Sequence, residues 1–353
     1  MAYTGINKSS LHYKNKRFTG NNTSGHAITG VGFAPDTVWF KNASSQQNWR
    51  WFDRPRGATK RLSHNSNIPE GTEANQLQAF GSDGFTVGAD GSVNGNTETM
   101  NAFCFKAGGT GSSNTDGSIN TTYTSVNSSA GFSISTFTGT GSNATVGHGL
   151  GVAPDMVIVK DRTAGTNNDW FVYHKNISAT HYVRINEPDA STTSSTLWQN
   201  TAPTSSVFYI GTNGNVNTSG NTYVAYCFAS KTGFSKVGSF EGNGSAFPNS
   251  PFIYTGFKPK LFIWKNADDG GSDDNWNMVD SEAQQYNIRD GGFYWLNNSY
   301  TESNFSGNEI NFLSNGVKID KASSYHNQNG STYIYMAIGQ SLVGSNNVPC
   351  TAR

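Results

Sequence analysis

The residues in this chain best suited to chemistry are tryptophans set among amides, carboxylates and arginines. The most individual segment is Asn48-Trp49-Arg50-Trp51-Phe52-Asp53-Arg54-Pro55-Arg56-Gly57. Its counterparts read Asn168-Asp169-Trp170-Phe171-Val172-Tyr173-His174 and Asp274-Asn275-Trp276-Asn277-Met278-Val279-Asp280. An exposed indole can stack on a sugar ring while Asp53, Arg54 or Arg56 hydrogen-bonds its hydroxyls. An apolar platform with a few oriented polar groups is what a ligand site needs. The same residues fit a second role, as strands whose Trp49, Trp51, Trp170 and Trp276 anchor a core. Recurrence in all three places favours the core. In an extended strand Trp49 and Trp51 share one face and Arg50 takes the other.

Other candidate groups are weaker. Arg54, Arg56, Lys60 and Arg61 form the only local basic cluster. It could meet an anionic polysaccharide or a partner subunit, although Asp53 and Glu70 nearby suit a solvated face. In the loop Asp268-Asp269-Gly270-Gly271-Ser272-Asp273-Asp274, four carboxylates could offer oxygen ligands to Ca²⁺. The spacing departs from the EF-hand loop and no bidentate Glu closes it, so turn chemistry is the default reading. The seven histidines are scattered, and there is no HExxH pair, GxSxG elbow, Walker A loop or CxxC. Asp53 and Asp280 occupy corresponding places, but glycosidic hydrolysis needs two carboxyl groups at a defined separation. Nothing in the chain specifies one. The expectation is a binding or structural protein, without enzymatic activity and without a cofactor.

These groups sit within a larger repeat. Phe18-Thr19-Gly20-Asn21 is followed by Gly32-Phe33-Ala34-Pro35-Asp36-Thr37-Val38-Trp39-Phe40-Lys41-Asn42. The pattern returns as Phe137-Thr138-Gly139 with Gly151 to Asp161, and as Phe240-Glu241-Gly242 with Gly256 to Asn266. Each copy closes on an aromatic, β-rich run: Asn101 to Phe105, Tyr223 to Phe228 and Tyr333 to Ile338. The copies lie roughly 105 to 120 residues apart, too long for a solenoid and right for a small domain. Short apolar runs follow each Pro, which cannot donate to a ladder and so fits just before a strand. Asn94-Gly95, Asn213-Gly214 and Asn315-Gly316 read as hairpin turns. The longest helix candidate, Thr72 to Ala79, is short. The expected fold is all-β: three tandem antiparallel β-sandwich or jelly-roll-like domains. The first is expected from Phe18 to about Gly108, the second from Gly131 to Gly233 and the third from Phe234 to Gly344. Residues 1–17 read as an N-terminal arm, 109–130 as a Gly/Ser/Asn-rich linker and 345–353 as a polar tail.

Composition agrees with this class and narrows the partners. Charged residues are 14 % and the formal net charge is zero, so the basic stripe that drives nucleic-acid binding is missing. Aromatics are 13 %, too many for a disordered chain and enough to build β cores with little Leu. No run reaches the length of a membrane span, and no signal-peptide pattern opens the chain, so synthesis in a cytoplasm is expected. Cys104 and Cys227 hold the same place in two closing strands, where repeat three has Ala337. Matched positions in separate domains are too distant to bridge, so they read as buried free thiols, with Cys350 unpaired near the C-terminus.

Several segments also carry a resemblance. Ile6 to Ser10, Phe18 to Asn21, Ile28-Thr29-Gly30-Val31-Gly32-Phe33-Ala34-Pro35-Asp36, Asp53-Arg54-Pro55-Arg56-Gly57 and Phe80 to Gly88 resemble a domain of tailed bacteriophages, especially marine phages, found in virion and tail-fibre-like proteins. The phrase TGVGFxPD marks it, often in tandem. The first copy matches best. The second keeps Gly149 to Lys160 and loses the DRPRG segment, and the third has Pro259-Lys260 for Pro-Asp, so any site using Asp36 or Asp155 is missing there. The resemblance spans nearly the whole chain and implies a virion protein, made in the host cytoplasm and released by lysis. A tail fibre or fibre-tip adhesin binding a host-surface polysaccharide is the first expectation, as a homo-oligomer, trimeric by analogy, in contact with other virion proteins. A capsid or tail decoration or adaptor protein is the second.

Overall fold

The computed structural model describes residues 4–341 apart from 7, 164, 166–167, 272–273, 288–290, 304–309 and 324. Each repeat folds into one large and one small antiparallel sheet. In the first repeat the large sheet runs Tyr13–Thr19, Thr99–Phe105, Thr37–Asn42, Arg50–Asp53, Gly57–Leu62, Gly71–Thr72, and His26–Thr29, Gly84–Val87 and Leu77–Phe80 form the small one. In the second, Tyr123–Asn127, Phe132–Thr138, Thr222–Phe228, Met156–Asp161, Trp170–His174, His181–Arg184 and Thr192–Thr193 face the pair Ala144–Gly147 and Val207–Ile210. In the third, Ser235–Glu241, Thr332–Ser341, Phe257–Asn266, Asn277–Asp280 and Phe293–Trp295 face Phe252–Tyr254, Gly316–Ile319 and Ile310–Leu313. The chain is three tandem β-sandwiches, as its repeats and turn residues predict.

The closing strands show why these runs are apolar without a break. Side chains alternate between the faces of a strand, and here both faces are buried. Ala102 and Cys104 point into the first sandwich while Phe103 and Phe105 point out of it. Ala225 and Cys227 are opposed in the same way to Tyr226 and Phe228, and Tyr335 and Ala337 to Met336 and Ile338. The outward-pointing set does not meet water. Phe103, Phe105, Tyr226, Phe228, Met336 and Ile338 belong to one core that draws on all three repeats. The large sheets therefore face one another around a common axis, and the small sheets lie outside.

The seams repeat in a closed cycle. The Trp49 indole Nε1 donates to the Trp295 carbonyl of the third sandwich at 3.0 Å. Trp170 donates to Ser63 and Ser66 of the first, both at 3.1 Å, and Trp276 to Arg184 of the second at 2.8 Å. One strand earlier, buried Lys41, Lys160 and Lys265 follow the same rotation. Their ammonium groups donate to the carbonyls of Ser299 at 2.9 Å, Asn67 at 3.0 Å and Pro188 at 2.5 Å. Each sandwich thus clasps the one before it, and the first clasps the third.

This closure corrects two expected boundaries. Residues 13–17 are not a free arm. Tyr13–Thr19 pairs with Thr99–Phe105, as Phe132–Thr138 and Ser235–Glu241 pair with their own closing strands. The phrase Phe18-Thr19-Gly20 ends a first strand instead of starting a domain. Tyr13 donates to Asp280 at 2.6 Å, and Lys14 and Arg17 pair with Glu282 and Glu302, each at 3.0 Å. Residues 109–130 are not a loose linker either. Tyr123–Asn127 adds an edge strand to the second sheet. Gly111, at φ +81°, lies so close to that strand that a Cβ would sit 2.3 Å from the Thr124 carbonyl oxygen.

Local readings are corrected as well. Thr72 to Ala79 is not helical, because Gly71–Thr72 and Leu77–Phe80 are strands. Asn94-Gly95 ends the single helical turn Gly91–Asn94, capped by Asp90, and Asn213 caps the turn Gly214–Asn217. Asn315-Gly316 does join a hairpin, between Ile310–Leu313 and Gly316–Ile319. Cys104 and Cys227 are buried and free, and Cys350, like the predicted tail 345–353, lies outside the described residues.

Candidate functional site

The tryptophans weighed as a sugar platform or a core anchor are interior. Trp49, Trp51, Trp170 and Trp276 are at most 1 % exposed and all belong to the shared core. Trp51 stacks on Trp170 with centroids 5.1 Å apart and lies 4.0 Å from Tyr226, so the contact crosses the first two sandwiches. Arg50 points the other way, as strand alternation predicts, and donates to Ser92 and Ser63. The face that would meet a ligand meets the neighbouring sandwich, so of the two readings the four tryptophans take the core role.

Asp53 and Arg56 are interior too, which corrects their expected place at a ligand. They form a buried ion pair at 2.6 Å, with Tyr226 Oη donating to Asp53 at 2.6 Å. Burial works against the Arg56 charge, but Asp53, Tyr226 and Glu70 outweigh it and hold the guanidinium strongly protonated. Glu70 also receives both arms of Arg162 from the second sandwich at 2.9 Å. Burial alone would raise the Glu70 pKa, yet Arg162 and Arg56 bring it below the usual carboxylate range. The expected basic cluster is in this part an interdomain rivet. Asp280, the counterpart of Asp53 in the third repeat, is likewise buried and takes hydrogen bonds from Tyr13 and Asn15.

Arg54 remains at the surface. It pairs with Asp36 at 3.0 Å, lies 5.0 Å from the Phe80 ring centroid, and donates to the Pro35 and Gly81 carbonyls. With Asp36, Phe80, Ser82 and Lys106 it lines an open groove of about 570 Å³. In the acidic loop Asp269 accepts from Gly270 N and Asp274 from Gly271 N, which is turn chemistry, while Asp268 accepts from Thr332 N at the start of the closing strand. Asp273 lies outside the described residues. Among the described residues no group of three or more His, Cys, Asp or Glu side chains gathers to hold an ion. At one end of the axis His12, Phe105, Phe132, Phe228 and Phe234 line a slot of about 20 Å³, room for about one water and no sugar.

The surface that stands out was not singled out from sequence. It is the outer face of the small sheet of the third sandwich. In Phe252–Tyr254, Ile253 points into the core while Phe252 and Tyr254 are 47 % and 54 % exposed. Phe247, in the preceding loop, is 66 % exposed. Lys318 lies directly across from Phe252 with its ammonium 4.6 Å from the Phe247 centroid, and Lys236 reaches to 5.3 Å from the Tyr254 centroid. These are cation–π distances. Asn311 and Leu313 complete the outward rows, opposite Lys318 and Gly316.

Comparison of the three copies isolates this face. Register places Ala27 and Thr29 of the first small sheet where Phe252 and Tyr254 stand, with Ile28 matching Ile253. In the second sheet the places fall to Thr145 and Gly147, flanking Val146. The inward residue stays β-branched while the outward pair changes from small to aromatic. A signal was present in the sequence: Phe252-Ile253-Tyr254 is an aromatic alternation that the other two copies lack.

No helix among the described residues is long and apolar enough to cross a membrane. No curated protein matches the chain. One family profile, described as a domain of unknown function (DUF7483), matches residues 8–341. A single domain match running through all three sandwiches is what a unit with one shared core should give. The chain therefore belongs to the DUF7483 family.

Proposed function

We propose that this protein is a bacteriophage virion component, a tail fibre or fibre-tip adhesin, that binds a host-surface glycan through the third sandwich. The observation that carries the glycan reading is the outward pair Phe252 and Tyr254, rings held on a rigid sheet with polar groups beside them and Phe247 in the loop before it. Rings on a strand lose little freedom on binding, so stacking is not offset by the cost of ordering a loop. The virion assignment rests on the TGVGFxPD resemblance, with release by host lysis.

The face occurs once per chain, so one chain gives one weak site. Several chains on a particle would convert weak contacts into firm attachment. A homo-oligomer, trimeric by analogy with the fibres this chain resembles, meets that need. Contacts with other virion proteins would fall on other surfaces, such as the groove around Arg54.

Immunogold electron microscopy of the intact phage, with antibody against this chain, tests the placement. Gold at the tips of tail appendages is the expected result. Gold over the head would overturn the adhesin in favour of a decoration protein, and unlabelled intact particles would remove it from the exposed virion surface.

A further inference from the structure

We infer that the outer face of the third sandwich takes an acidic polysaccharide, one bearing carboxylate or sulfate groups. This inference rests on the glycan reading above and goes beyond it in naming the class. The fold does not need these aromatics. The two other small sheets hold the same register with Ala27 and Thr29, or Thr145 and Gly147, at these places. Exposed aromatic rings also carry a solubility liability. A feature that the scaffold does without twice, and that carries a cost, calls for a ligand.

The face is also positively charged. Lys318 and Lys236 stand beside the rings, and among the described residues neither pairs with a carboxylate. Each donates to one carbonyl, Lys318 to Pro248 at 3.0 Å and Lys236 to Tyr254 at 2.7 Å. An ammonium has three donors, so two on each remain for a ligand while the third fixes its position. The outward rows of the sheet are Phe252, Lys318 and Asn311, then Tyr254, Gly316 and Leu313, with no acidic side chain among them. The carboxylate that follows on the strand, Asp320, is buried and held by Ser250 and Asn311.

Phe252 and Tyr254 lie about 7 Å apart along the strand, and Lys318 sits about 5 Å across from Phe252. A chain of rings laid over the two aromatics brings an acidic substituent within reach of an ammonium. Gly316 makes room for the Phe252 ring, which lies 2.6 Å from where a Cβ would be. Stacking is tolerant of sugar identity, so the lysines would select for charge.

The test uses the full chain and three probes: dextran, dextran sulfate and polygalacturonate. Binding is read by affinity electrophoresis and calorimetry at low and at 0.5 M salt. The expected result is binding of dextran sulfate or polygalacturonate at least tenfold tighter than dextran, weakened by salt. Phe252→Ala with Tyr254→Thr, which restores the first repeat's residues, should abolish it with an unchanged melting temperature. Lys318→Thr, the residue found at Thr86, should cost at least tenfold for the acidic probes. Equal binding of dextran, lost in the aromatic variant, would overturn the acidic class and leave the glycan reading standing. No binding of any probe, or acidic binding indifferent to all three substitutions, would overturn both. Self-association in sedimentation that the aromatic variant abolishes would make the face a contact between copies and overturn both as well.

Discussion

At the residue scale, the chemistry of this protein is mostly buried and serves cohesion. Trp51 is packed between Trp170 and Tyr226 across a seam. Trp51→Ala should destabilise the chain by about 3–5 kcal/mol, the range for removing a large buried aromatic. Urea unfolding measures it, and a loss below about 1 kcal/mol would contradict a core role. The Asp53–Arg56 pair gives a sharper case. Asp53→Asn leaves a fully buried guanidinium with Glu70 as its remaining carboxylate and gives the Tyr226 hydroxyl a neutral amide oxygen in place of a charged acceptor. A cost of up to about 3–5 kcal/mol, the range for breaking a buried pair, is expected. Both effects should appear in stability, with the proposed polysaccharide binding of the folded fraction unchanged.

At the element scale, the repeated phrase has a steric explanation. Gly20, Gly139 and Gly242 end the first strand of each repeat. A Cβ there would lie 2.1, 2.4 and 2.2 Å from the carbonyl oxygens of Gly95, Thr218 and Gln328. The backbone that approaches is pinned by a buried asparagine, Asn94, Asn217 or Asn327. Each accepts from the loop that follows the glycine, through Asn21, Thr140 or Asn243 N, and donates to a carbonyl of Thr23, Ser142 or Ser245. Gly139→Ala should therefore force backbone apart and cost about 1–3 kcal/mol, as overpacking does. The measure is the denaturation midpoint, against Gly165→Ala as a control in open space.

At the scale of the whole molecule, three sandwiches around one core should unfold together. Calorimetry is expected to show one transition with equal calorimetric and van't Hoff enthalpies, and three resolved transitions would mean independent domains. The seams also titrate. Burial pushes His64 down to about 3 and His174 and His326 to about 4. His64 and His174 face carbonyls of the third sandwich, Leu296 and Tyr335. Unfolded, each histidine titrates near 6.5, so between these values the unfolded chain binds protons that the folded chain refuses. Stability then rises with pH across that window and is lost as pH falls from 6.5 toward 4, by up to about 1.4 kcal/mol per pH unit for each histidine. Burial raises Asp36, Asp274 and Asp280, which opposes the loss at the acid end. Above neutrality the sign is the same. Burial drives Lys41 down to about 7 and Lys160 and Lys265 to about 8, so stability should keep rising above neutrality until Cys104 and Cys227, whose thiols burial raises, oppose it near pH 9 and beyond. Melting temperatures from pH 4.5 to 9.5 test both limbs, and Lys41→Met should flatten the alkaline one. A flat profile between pH 5 and 6.5 would mean that the histidines are charged in the fold.

The sequence by itself determined what is local and periodic. The repeat, the strands that follow Pro35 and Pro154 and the closing runs specified three antiparallel sandwiches, because alternation and turn chemistry act over a few residues; Pro259, expected just before its strand, lies inside it at a bulge. Matched free cysteines and the opposed faces of Trp49 and Arg50 follow from the same period of two. What only the tertiary structure decided is where each second face goes. A strand apolar on both sides reads the same whether its outer face meets ligand, solvent boundary or neighbour. The role of Trp49, Trp51, Trp170 and Trp276 stayed open for that reason until all three sheets were seen to converge. The span 109–130 looked like a linker because Gly and Ser permit close backbone packing as readily as disorder. The aromatic face at Phe252 and Tyr254 emerged last, since exposure belongs to a residue's surroundings and only the register of three superposable sheets shows it to be the exception.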